Sequence, residues 1–292
     1  MGDGPEVTGG ALRGATAILT GASRGLGAAI ARAMSRAGAE LLLVARSEAR
    51  LQEVAAGLFA PAHIFTADLQ DGSAPAAIMT EARRLWPRLD ILVNNAGIAG
   101  PIGLFADNDW REWRDTIQVN FLAPAELCKL VISWMASTGG GRIVNLSGGG
   151  ATSPRARFSA YGSAKCALVR FSETIAAEVA DSGIRVNCIS PGMLRTDMLQ
   201  DVLRAGPERL GAEEFGRVQQ SAAGEMADPD VAAALVVYLA SEASAGITGK
   251  LISAVWDPWR NLAEHAADLR GSDIYTLRRI TPQDRGKDWR DA

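Results

Sequence analysis

The chain has 292 residues, of which 48% are hydrophobic, and this length suits one large α/β domain or two smaller ones with a sizeable core. Its 33 acidic and 30 basic residues give a net charge of −3, which excludes binding of nucleic acid or of an anionic membrane driven by overall charge. Only two histidines, His63 and His265, are present and they are far apart, which excludes a His-rich metal site and disfavours a Ser-His-Asp triad.

Three further features of the sequence bear on where the protein works. No run approaches the roughly 18 consecutive apolar residues that a membrane span requires. The first residues, MGDGPEVTGG, lack the basic start and the apolar run of a secretory signal. The three cysteines, Cys128, Cys166 and Cys188, contain no C-x-x-C pair and are typical of free thiols in a reducing compartment. We therefore expect a cytoplasmic protein without a membrane or nucleic-acid partner, and we expect no metal site.

Short apolar runs alternate with helical segments along the first third of the chain. The run ATAILT (15–20) predicts a strand, and the glycine-rich turn after it leads into a segment with helical spacing. Further strands are predicted at ELLLVA (40–45), HIFTAD (63–68) and LDILVN (89–94), with helices between them. This part of the chain is a βαβαβαβ series.

The same alternation continues to the end of the predicted domain. Helices are expected at about 109–136, 159–181 and 228–243, and strands at 141–147, 184–190 and 250–256. Residues 197–225 are polar and helix-like, with no strand signal. Nearly continuous apolar strands separated by helices predict a doubly wound α/β fold, with a parallel sheet covered by helices on both faces.

A glycine-rich turn, T-G-A-S-R-G-L-G (20–27), lies between the first predicted strand and the first predicted helix. Glycines let the backbone approach a pyrophosphate closely, and the N-terminus of the following helix then meets the negative charge. The spacing is G-x-x-x-G-x-G and not the common G-x-G-x-x-G. A tight turn without a ligand is the alternative, which the strand-turn-helix context disfavours.

Four more motifs follow in order: N-N-A-G (94–97), Asn120, Y-x-x-x-K with Tyr161 and Lys165, and P-G (191–192). Together with the glycine turn they resemble the short-chain dehydrogenase/reductase family over roughly residues 12–255. The resemblance implies a Rossmann fold, a nicotinamide cofactor, and hydride transfer between that cofactor and a small-molecule carbonyl or secondary alcohol. It also implies a homodimer or homotetramer formed through the two long helices.

The cofactor-binding positions of the family can be carried over onto matching positions of this chain. They are Gly21, Ser23, Arg24, Gly25, Leu26, Gly27, Arg46, Asp68, Leu69, Asn94, Ala96, Gly97, Tyr161, Lys165, Pro191, Gly192, Met193 and Thr196. By this resemblance Asp68 and Leu69 meet the adenine ring, the 94–97 turn lies beside the adenine ribose, and the 191–193 turn with Thr196 contacts the nicotinamide carboxamide. The alternatives are that Asp68 caps a helix and that 191–193 is a plain turn.

The end of the second strand bears on the choice between NAD(H) and NADP(H). It reads Val44-Ala45-Arg46, without the acidic residue that binds the ribose 2′-OH of NAD. Arg46 and Arg24 offer guanidinium groups suited to a 2′-phosphate, so NADP(H) is favoured over NAD(H). The alternative is that both are solvated surface arginines.

Tyr161 and Lys165 are the centre of the implied chemistry. They are four residues apart on a predicted helix, so their side chains share one face. Hydride transfer needs a proton donor and acceptor, and a lysine ammonium together with the positive nicotinamide ring can lower the pKa of a phenol from about 10 toward neutrality. Asn120 lies inside a predicted long helix, where an amide is poor helix material and is expected to bond something other than the helix ladder. In the family this residue holds a water of a proton relay. The alternative for Asn120 is a buried amide that is satisfied locally.

One position departs from the family pattern. The family has a serine 13 positions before the tyrosine, where this chain has Gly148, and Ser147 lies one position early. Adjacent strand residues face opposite sides, so Ser147 serves as the fourth catalytic residue only if the chain bulges, which the following glycines permit. Backbone N–H donors, Thr152 and Ser153 are other replacements. The departure leaves two alternative functions open: a non-redox isomerase or lyase, and a weakened nucleotide-binding regulator.

The domain boundaries follow from the extent of these motifs. We predict a leader at 1–11, one domain at 12–259 with a substrate lid at 197–225, and a C-terminal tail at 260–292. Arg155 and Arg157, between the serine position and the tyrosine, either reach an anionic group of the substrate or are solvated loop residues, and the sequence favours the second interpretation.

Overall fold

The strands of the described residues lie in one parallel sheet. A computed structural model describes residues 10–224 and 226–289, and its seven strands run in the order β3-β2-β1-β4-β5-β6-β7. The strands are β1 Thr16–Thr20, β2 Glu40–Ala45, β3 Ala62–Thr66, β4 Ile91–Asn94, β5 Gly141–Leu146, β6 Ile184–Ser190 and β7 Leu251–Ser253. This confirms the doubly wound α/β fold. The strand order reverses between β1 and β4, and a crevice opens there at the carboxyl ends of the strands.

Ten α-helices occur among the described residues and connect or follow the strands. They are α1 Gly25–Arg36, α2 Glu48–Ala56, α3 Ala74–Leu85, α4 Trp110–Ile117, α5 Ala123–Ser137, α6 Ser159–Glu178, α7 Asp197–Leu210, α8 Ala212–Ala223, α9 Pro229–Ala240 and α10 Ala266–Leu269. A π-helical turn, Gln118–Leu122, joins α4 to α5. Short 3-10 turns lie at Phe105–Asp107, Ala180–Ser182, Glu242–Ser244, Trp259–His265 and Gln283–Arg285.

The strands are apolar on both faces because each face is covered by helices. On one face Leu19, Leu41 and Leu43 pack in a cluster with α1 and α9. On the other, their strand neighbours Ile18 and Leu42 pack with α3 and α5. Since alternate side chains of a strand point to opposite faces, a continuous apolar run is what a sheet buried on both sides requires.

Two predicted elements differ in detail from the structure. The last strand covers Leu251–Ser253 and not 250–256, because the chain turns when Ser253 Oγ accepts hydrogen bonds from the backbone N–H groups of Val255 and Trp256. Residues 197–224 form two helices, and Gly206, with φ of 70°, interrupts the first of them. The predicted leader lies outside the described residues except for positions 10 and 11, and the lid's residue 225 and the tail's last three residues also lie outside them.

One described segment, Trp110–Ser137, is long and apolar enough to cross a membrane by length and composition. Half of its most apolar window is buried inside the protein, where α5 packs against α3 and against β4 and β5. A core helix passes the same test, so this segment is weak evidence for a membrane span.

The residues after β7 pack back onto the domain. Trp259 and Leu262 are buried in the cluster that contains α1 and α9. Lys250, itself buried, donates from Nζ to the backbone oxygens of Ser272 and Ile274, both at 2.9 Å. The Leu277 N–H donates to Glu173 Oε1 of α6 at 2.7 Å. These contacts order the segment 259–277 against the sheet and α6.

Replacing Lys250 tests this attachment. We expect Lys250→Met to lower the free energy of unfolding by about 1–3 kcal/mol, because two partly buried carbonyls lose their donor. Urea unfolding measures the loss, and limited trypsin digestion reports faster cleavage at Arg278. Lys129→Met, at an exposed position of α5, is the matched control. Equal effects of the two substitutions contradict the assigned role of Lys250.

Candidate active site

A cavity of about 940 Å³ opens at the carboxyl ends of the strands, between the strand-end loops and α7–α8. Eighteen of the sequence-predicted site residues line it. They are Gly21, Ser23, Arg24, Gly25, Leu26, Gly27, Arg46, Asp68, Leu69, Ala96, Gly97, Ser147, Tyr161, Lys165, Pro191, Gly192, Met193 and Thr196. Residues from four motifs that are distant in the sequence therefore meet in one cavity. Asn94 and Asn120 do not line it.

The glycine turn packs tightly against the end of β4. Gly21 has φ of 67°, and a Cβ there would lie 2.8 Å from Ala96 Cα; a Cβ on Gly27 would lie 2.0 Å from the Gly21 carbonyl oxygen. No side chain caps the N-terminus of α1, and its first turn contains no acidic residue. The uncapped N–H groups and the positive end of the helix dipole at the cavity wall fit a dinucleotide pyrophosphate.

Two adjacent asparagines at the end of β4 have different tasks. The buried Asn94 donates from Nδ2 to Asn145 Oδ1 at 2.8 Å, so it joins β4 to β5 and does not face a cofactor. Asn95 lines the cavity, and its Nδ2 donates to the backbone oxygens of Thr20 and Gly21 at 3.0 and 3.1 Å. Asn95 is not among the residues predicted from the sequence, although the repeated asparagine at the end of β4 is a signal for it.

Arg46, after β2, and Arg24, in the glycine turn, differ in how free their guanidinium groups are. Arg46 is mostly exposed at the cavity edge, with Nη1 3.9 Å from Asp68 Oδ2. Arg24 contacts the Asp197 carboxylate at the start of α7, so it is not the free guanidinium that the sequence suggested. Ser47 and Arg50, two residues that the sequence analysis missed, line the same region.

Asp68 does not cap a helix, which corrects one of the alternatives. Ser73 occupies the N-cap position of α3, whereas Asp68 Oδ1 accepts a hydrogen bond from the Gln70 N–H at 3.0 Å within the preceding turn. Thr196 does cap a helix, since its Oγ1 accepts from the Leu199 N–H at the start of α7. Asp68 and Thr196 both line the cavity as well.

Tyr161 and Lys165 lie one turn apart on α6 and both face the cavity. Lys165 Nζ donates to the Leu146 carbonyl oxygen at 2.8 Å and lies 5.8 Å from the centre of the Tyr161 ring. Burial lowers the pKa of Lys165 to about 8 and raises the pKa of Tyr161 to about 12, with the charge of Arg155 opposing the second shift. In the protein alone the pKa of Tyr161 is raised and not lowered, because loss of solvation outweighs nearby positive charge. The expected shift toward neutrality also depends on the positive ring of a bound nicotinamide, so it stays a prediction.

Asn120 lies in the π-helical turn, where the helical ladder is broken. Its Nδ2 donates to the backbone oxygens of Ile98 and Thr116, both at 2.9 Å, and its Oδ1 accepts from the Ile98 N–H. A Cβ added at Gly97 would lie 2.8 Å from Asn120 Oδ1 and 3.7 Å from Lys165 Nζ. The amide is thus satisfied locally, and it also lies beside the space that the lysine faces.

Gly148 leaves the room that the Tyr161 side chain occupies. A Cβ at position 148 would lie 2.2 Å from Tyr161 Oη, a separation at which atoms clash. Ser147 Oγ is buried and has no hydrogen-bond partner among the described residues, and the residue itself lies at the cavity wall. Ser153 lines the cavity and Thr152 does not. The hydroxyl closest in sequence to the missing serine therefore has no protein partner in the described residues.

The cavity continues past Tyr161 to a wall made by α7 and α8. Its apolar part includes Phe158, Leu199, Val202 and Val218. Its charged part is formed by three further residues, Arg155, Glu214 and Arg217. Arg157 points away, with Nη1 donating to the backbone oxygens of Glu208 and Arg209.

The solvated-loop interpretation of Arg155 is wrong. The side chain is 20% exposed, and its Nε donates to Glu214 Oε1 at 2.8 Å. Across the residues that the structure describes, no group of three or more His, Cys, Asp or Glu side chains is placed to hold a metal ion.

Comparison with known proteins agrees with the geometry of the site. The short chain dehydrogenase family model matches residues 15–206. The 3-oxoacyl-[acyl-carrier-protein] reductase FabG of Escherichia coli K12 is 34% identical over 242 residues, covering 82% of this chain and 95% of its own, and the oxidoreductase UcpA of the same organism is 35% identical over 252 residues, covering 82% and 92%.

Solved structures agree as well. A protein from Beutenbergia cavernae, assigned as an NAD(P)-dependent gluconate 5-dehydrogenase and holding NADP at low occupancy, has a TM-score of 0.72 and 31% identity, covering 83% of this chain and 96% of its own. A short-chain type dehydrogenase/reductase from Mycobacterium marinum has a TM-score of 0.73 and 27% identity, covering 83% and 94%.

The fold and the cavity define a dinucleotide-binding oxidoreductase of the Rossmann type. The chain belongs to the short-chain dehydrogenase/reductase family and is an NAD(P)-dependent enzyme of that family.

Restoring the family serine at position 148 is a direct test of the packing around Tyr161. We expect Gly148→Ser to lower kcat on the order of 10²-fold, because the added Cβ displaces Tyr161 Oη, and a shift of about 1 Å at a reacting group has this cost. Steady-state kinetics with NADPH and a ketone measures it. Gly72→Ser is the control, since a Cβ at Gly72 meets nothing within 4 Å. Higher activity in Gly148→Ser contradicts the packing argument.

Proposed function

We propose that the protein is an NADP(H)-dependent reductase of carbonyl compounds, or dehydrogenase of the corresponding secondary alcohols, with Tyr161 as the general acid and base. The observation that carries the proposal is that Tyr161 and Lys165 line the same cavity as the uncapped N-terminus of α1. A cavity that holds both a proton donor and a dinucleotide cradle has the parts that hydride transfer to a carbonyl requires.

The residues around the cavity suit NADPH. The glycine turn and the start of α1 hold the pyrophosphate, and Asp68 and Leu69 border the adenine position. Arg46 takes the ribose 2′-phosphate, supported by the absence of an acidic residue at the end of β2 and by the NADP in the Beutenbergia cavernae structure. Bound NADPH supplies the hydride for the substrate carbon.

The chain's own groups handle the proton. Tyr161, with a pKa raised to about 12, stays protonated at neutral pH and donates from Oη to the substrate oxygen. Lys165 has a pKa of about 8, so at neutral pH it is mostly charged and stabilises the phenolate that forms. Ser147 Oγ, which is buried and unpartnered among the described residues, donates to the same substrate oxygen in place of the family serine.

Neither alternative function has an observation in its favour. A non-redox isomerase or lyase needs a base matched to a carbon acid, and the carboxylates that line the described cavity, Asp68, Asp197 and Glu214, each lie against an arginine. A regulator that only binds nucleotide has no need of an unpartnered hydroxyl and a buried lysine beside a phenol.

Location, assembly and domain limits complete the proposal. Three free cysteines, two of them buried, suit a reducing cytoplasm. Assembly into a homodimer or homotetramer through α4–α5 and α6 is supported by the exposed Leu122 between α4 and α5. The division into a leader at 1–11, a domain at 12–259 with a lid at 197–225, and a tail at 260–292 remains our prediction.

A substrate panel with the catalytic tyrosine removed tests the central proposal. We expect NADPH consumption with some of a set of ketones, aldehydes and keto-sugars, and we expect Tyr161→Phe to lower it by about 10²–10⁴-fold while NADPH binding by fluorescence is unchanged. Because the charge on Lys165 is lost as the pH rises through about 8, reduction should slow above that pH. NADPH binding without turnover of any substrate contradicts the redox proposal.

Arg46 tests the choice of cofactor. We expect Arg46→Ala to weaken NADPH binding by about 10- to 100-fold, since a charged hydrogen bond contributes about 1.5–3 kcal/mol, and to change NADH binding much less. Fluorescence titration with both nucleotides measures the two affinities. Arg32→Ala, at an exposed position of α1 outside the cavity, is the control. An equal loss for both nucleotides refutes the NADP(H) assignment.

A further inference from the structure

Arg155 is held in a fixed orientation at the substrate end of the cavity. Its Nε donates to Glu214 Oε1 of α8 at 2.8 Å. Its guanidinium carbon lies 3.8 Å from the centre of the buried Phe158 ring, so the guanidinium packs on an aromatic face. Glu214 is itself 14% exposed and also contacts Arg217. The side chain is therefore preorganised by contacts on two sides.

The Nη1 and Nη2 donors of the same guanidinium are free to bind a ligand. Nη1 and Nη2 of Arg155 make no hydrogen bond to any residue in the described ranges, although Nε is satisfied. Gly149 has no side chain, and a Cβ added to it would lie 3.4 Å from Nη1 of Arg155. The free donors thus lie beside the glycines that follow Ser147, and these glycines line the cavity together with Tyr161.

The charge at this end of the cavity is unbalanced. Arg155 and Arg217 bring two positive charges, and Glu214 brings one negative charge between them. Among the described cavity residues, Asp197 contacts Arg24 and Asp68 lies near Arg46, so neither carboxylate neutralises the remaining charge. The charge of Arg155 also acts on Tyr161, where it opposes the rise in the pKa of the phenol.

We propose that the substrate carries a carboxylate near its carbonyl or hydroxyl group, and that Nη1 and Nη2 of Arg155 bind it. The inference rests on the proposed function, since it assigns the substrate class of that same site. One carboxylate matches the planar pair of donors that the guanidinium leaves free. The apolar wall of Phe158, Leu199 and Val218 takes an alkyl part of the substrate.

The substrate in this assignment is an oxo acid, and its product is a hydroxy acid. Reduction would place on the carbonyl carbon a hydride that bound NADPH would supply, with the π electrons moving to the oxygen. That oxygen takes a proton from Tyr161, which regains it from solvent, so the oxo acid becomes the hydroxy acid. The carboxylate is unchanged throughout. Arg155 therefore determines specificity by binding the carboxylate and does not transfer a proton.

Matched pairs of acids and esters test the assignment. The probes are 2-oxohexanoate, 3-oxohexanoate and levulinate, each compared with its methyl ester at equal concentration with NADPH. We expect kcat/KM at least about tenfold higher for one or more acids than for the ester, which is about 1.4 kcal/mol. In Arg155→Met we expect this acid-to-ester ratio to fall to about one, and in Arg155→Lys to be partly kept, because a lysine keeps the charge and loses the paired donors.

Arg157→Met is the matched control, because its guanidinium contacts the backbone oxygens of α7 and does not line the cavity. It should leave the acid-to-ester ratio of the wild-type protein intact even where the rates fall. A wild-type enzyme that handles each ester as well as its acid, or an Arg155→Met variant that keeps the preference, overturns the assignment.

Equilibrium binding separates failure of this inference from failure of the proposed function. The same acids and esters are titrated by calorimetry into the NADPH-saturated enzyme. Binding of the acids that depends on Arg155, with no turnover of any probe, supports the carboxylate site and counts against the redox proposal. Turnover of esters or simple ketones without a preference for acids does the reverse. No binding of any acid at millimolar concentration overturns the carboxylate site.

Discussion

Parallel pairing of β1, β4 and β5 is the constraint on which the site depends. In a parallel sheet all strands end at the same edge, so the chain after each strand arrives at one crevice. The register pairs Leu19 with Val93 and Val93 with Val144, which brings the glycine turn, the 94–97 turn and Ser147 to one level. Asn95 then fixes the glycine turn through the backbone oxygens of Thr20 and Gly21. The cofactor cradle is thus a consequence of strand register, held by one amide.

Burial sets the chemistry that the crevice performs. A phenol and an ammonium placed in the same low-dielectric cavity shift in opposite directions, since each favours its neutral form. Tyr161 therefore remains an acid, and the pKa of Lys165 falls to about 8. The carbonyl of Leu146 keeps the lysine beside the tyrosine through a 2.8 Å hydrogen bond. In the protein without a ligand, burial thus favours the protonated phenol of Tyr161 and the neutral amine of Lys165.

The sequence predicts whatever depends on local spacing. Continuous apolar runs identify the strands, and the glycine turn, Tyr161 and Lys165 can be located because each motif has a fixed spacing. The sequence predicts one long helix through Asn120, where the structure has a π-helical turn. Contacts between residues that are far apart in the sequence could not be predicted, since no spacing rule relates the two residues of such a contact. The pair Arg155–Glu214, 59 positions apart, and the contact of Arg24 with Asp197, 173 positions apart, are of this kind.

Gly148 shows why a missing residue is harder to interpret than a present one. In the sequence, glycine at position 148 means that the serine hydroxyl of the family is missing. In the fold the tyrosine hydroxyl lies where a Cβ of residue 148 would be, with 2.2 Å between the two positions. Gly148, the position of Tyr161 and the unpaired Nη atoms of Arg155 are therefore structurally linked. Because residue 148 has no side chain, the Tyr161 phenol can occupy the space beside it. Because residue 149 has none either, Nη1 of Arg155 stays open to the cavity. A substrate held by its carboxylate at Arg155 needs less help from a hydroxyl at 148, because the bound anion already fixes where its carbonyl lies.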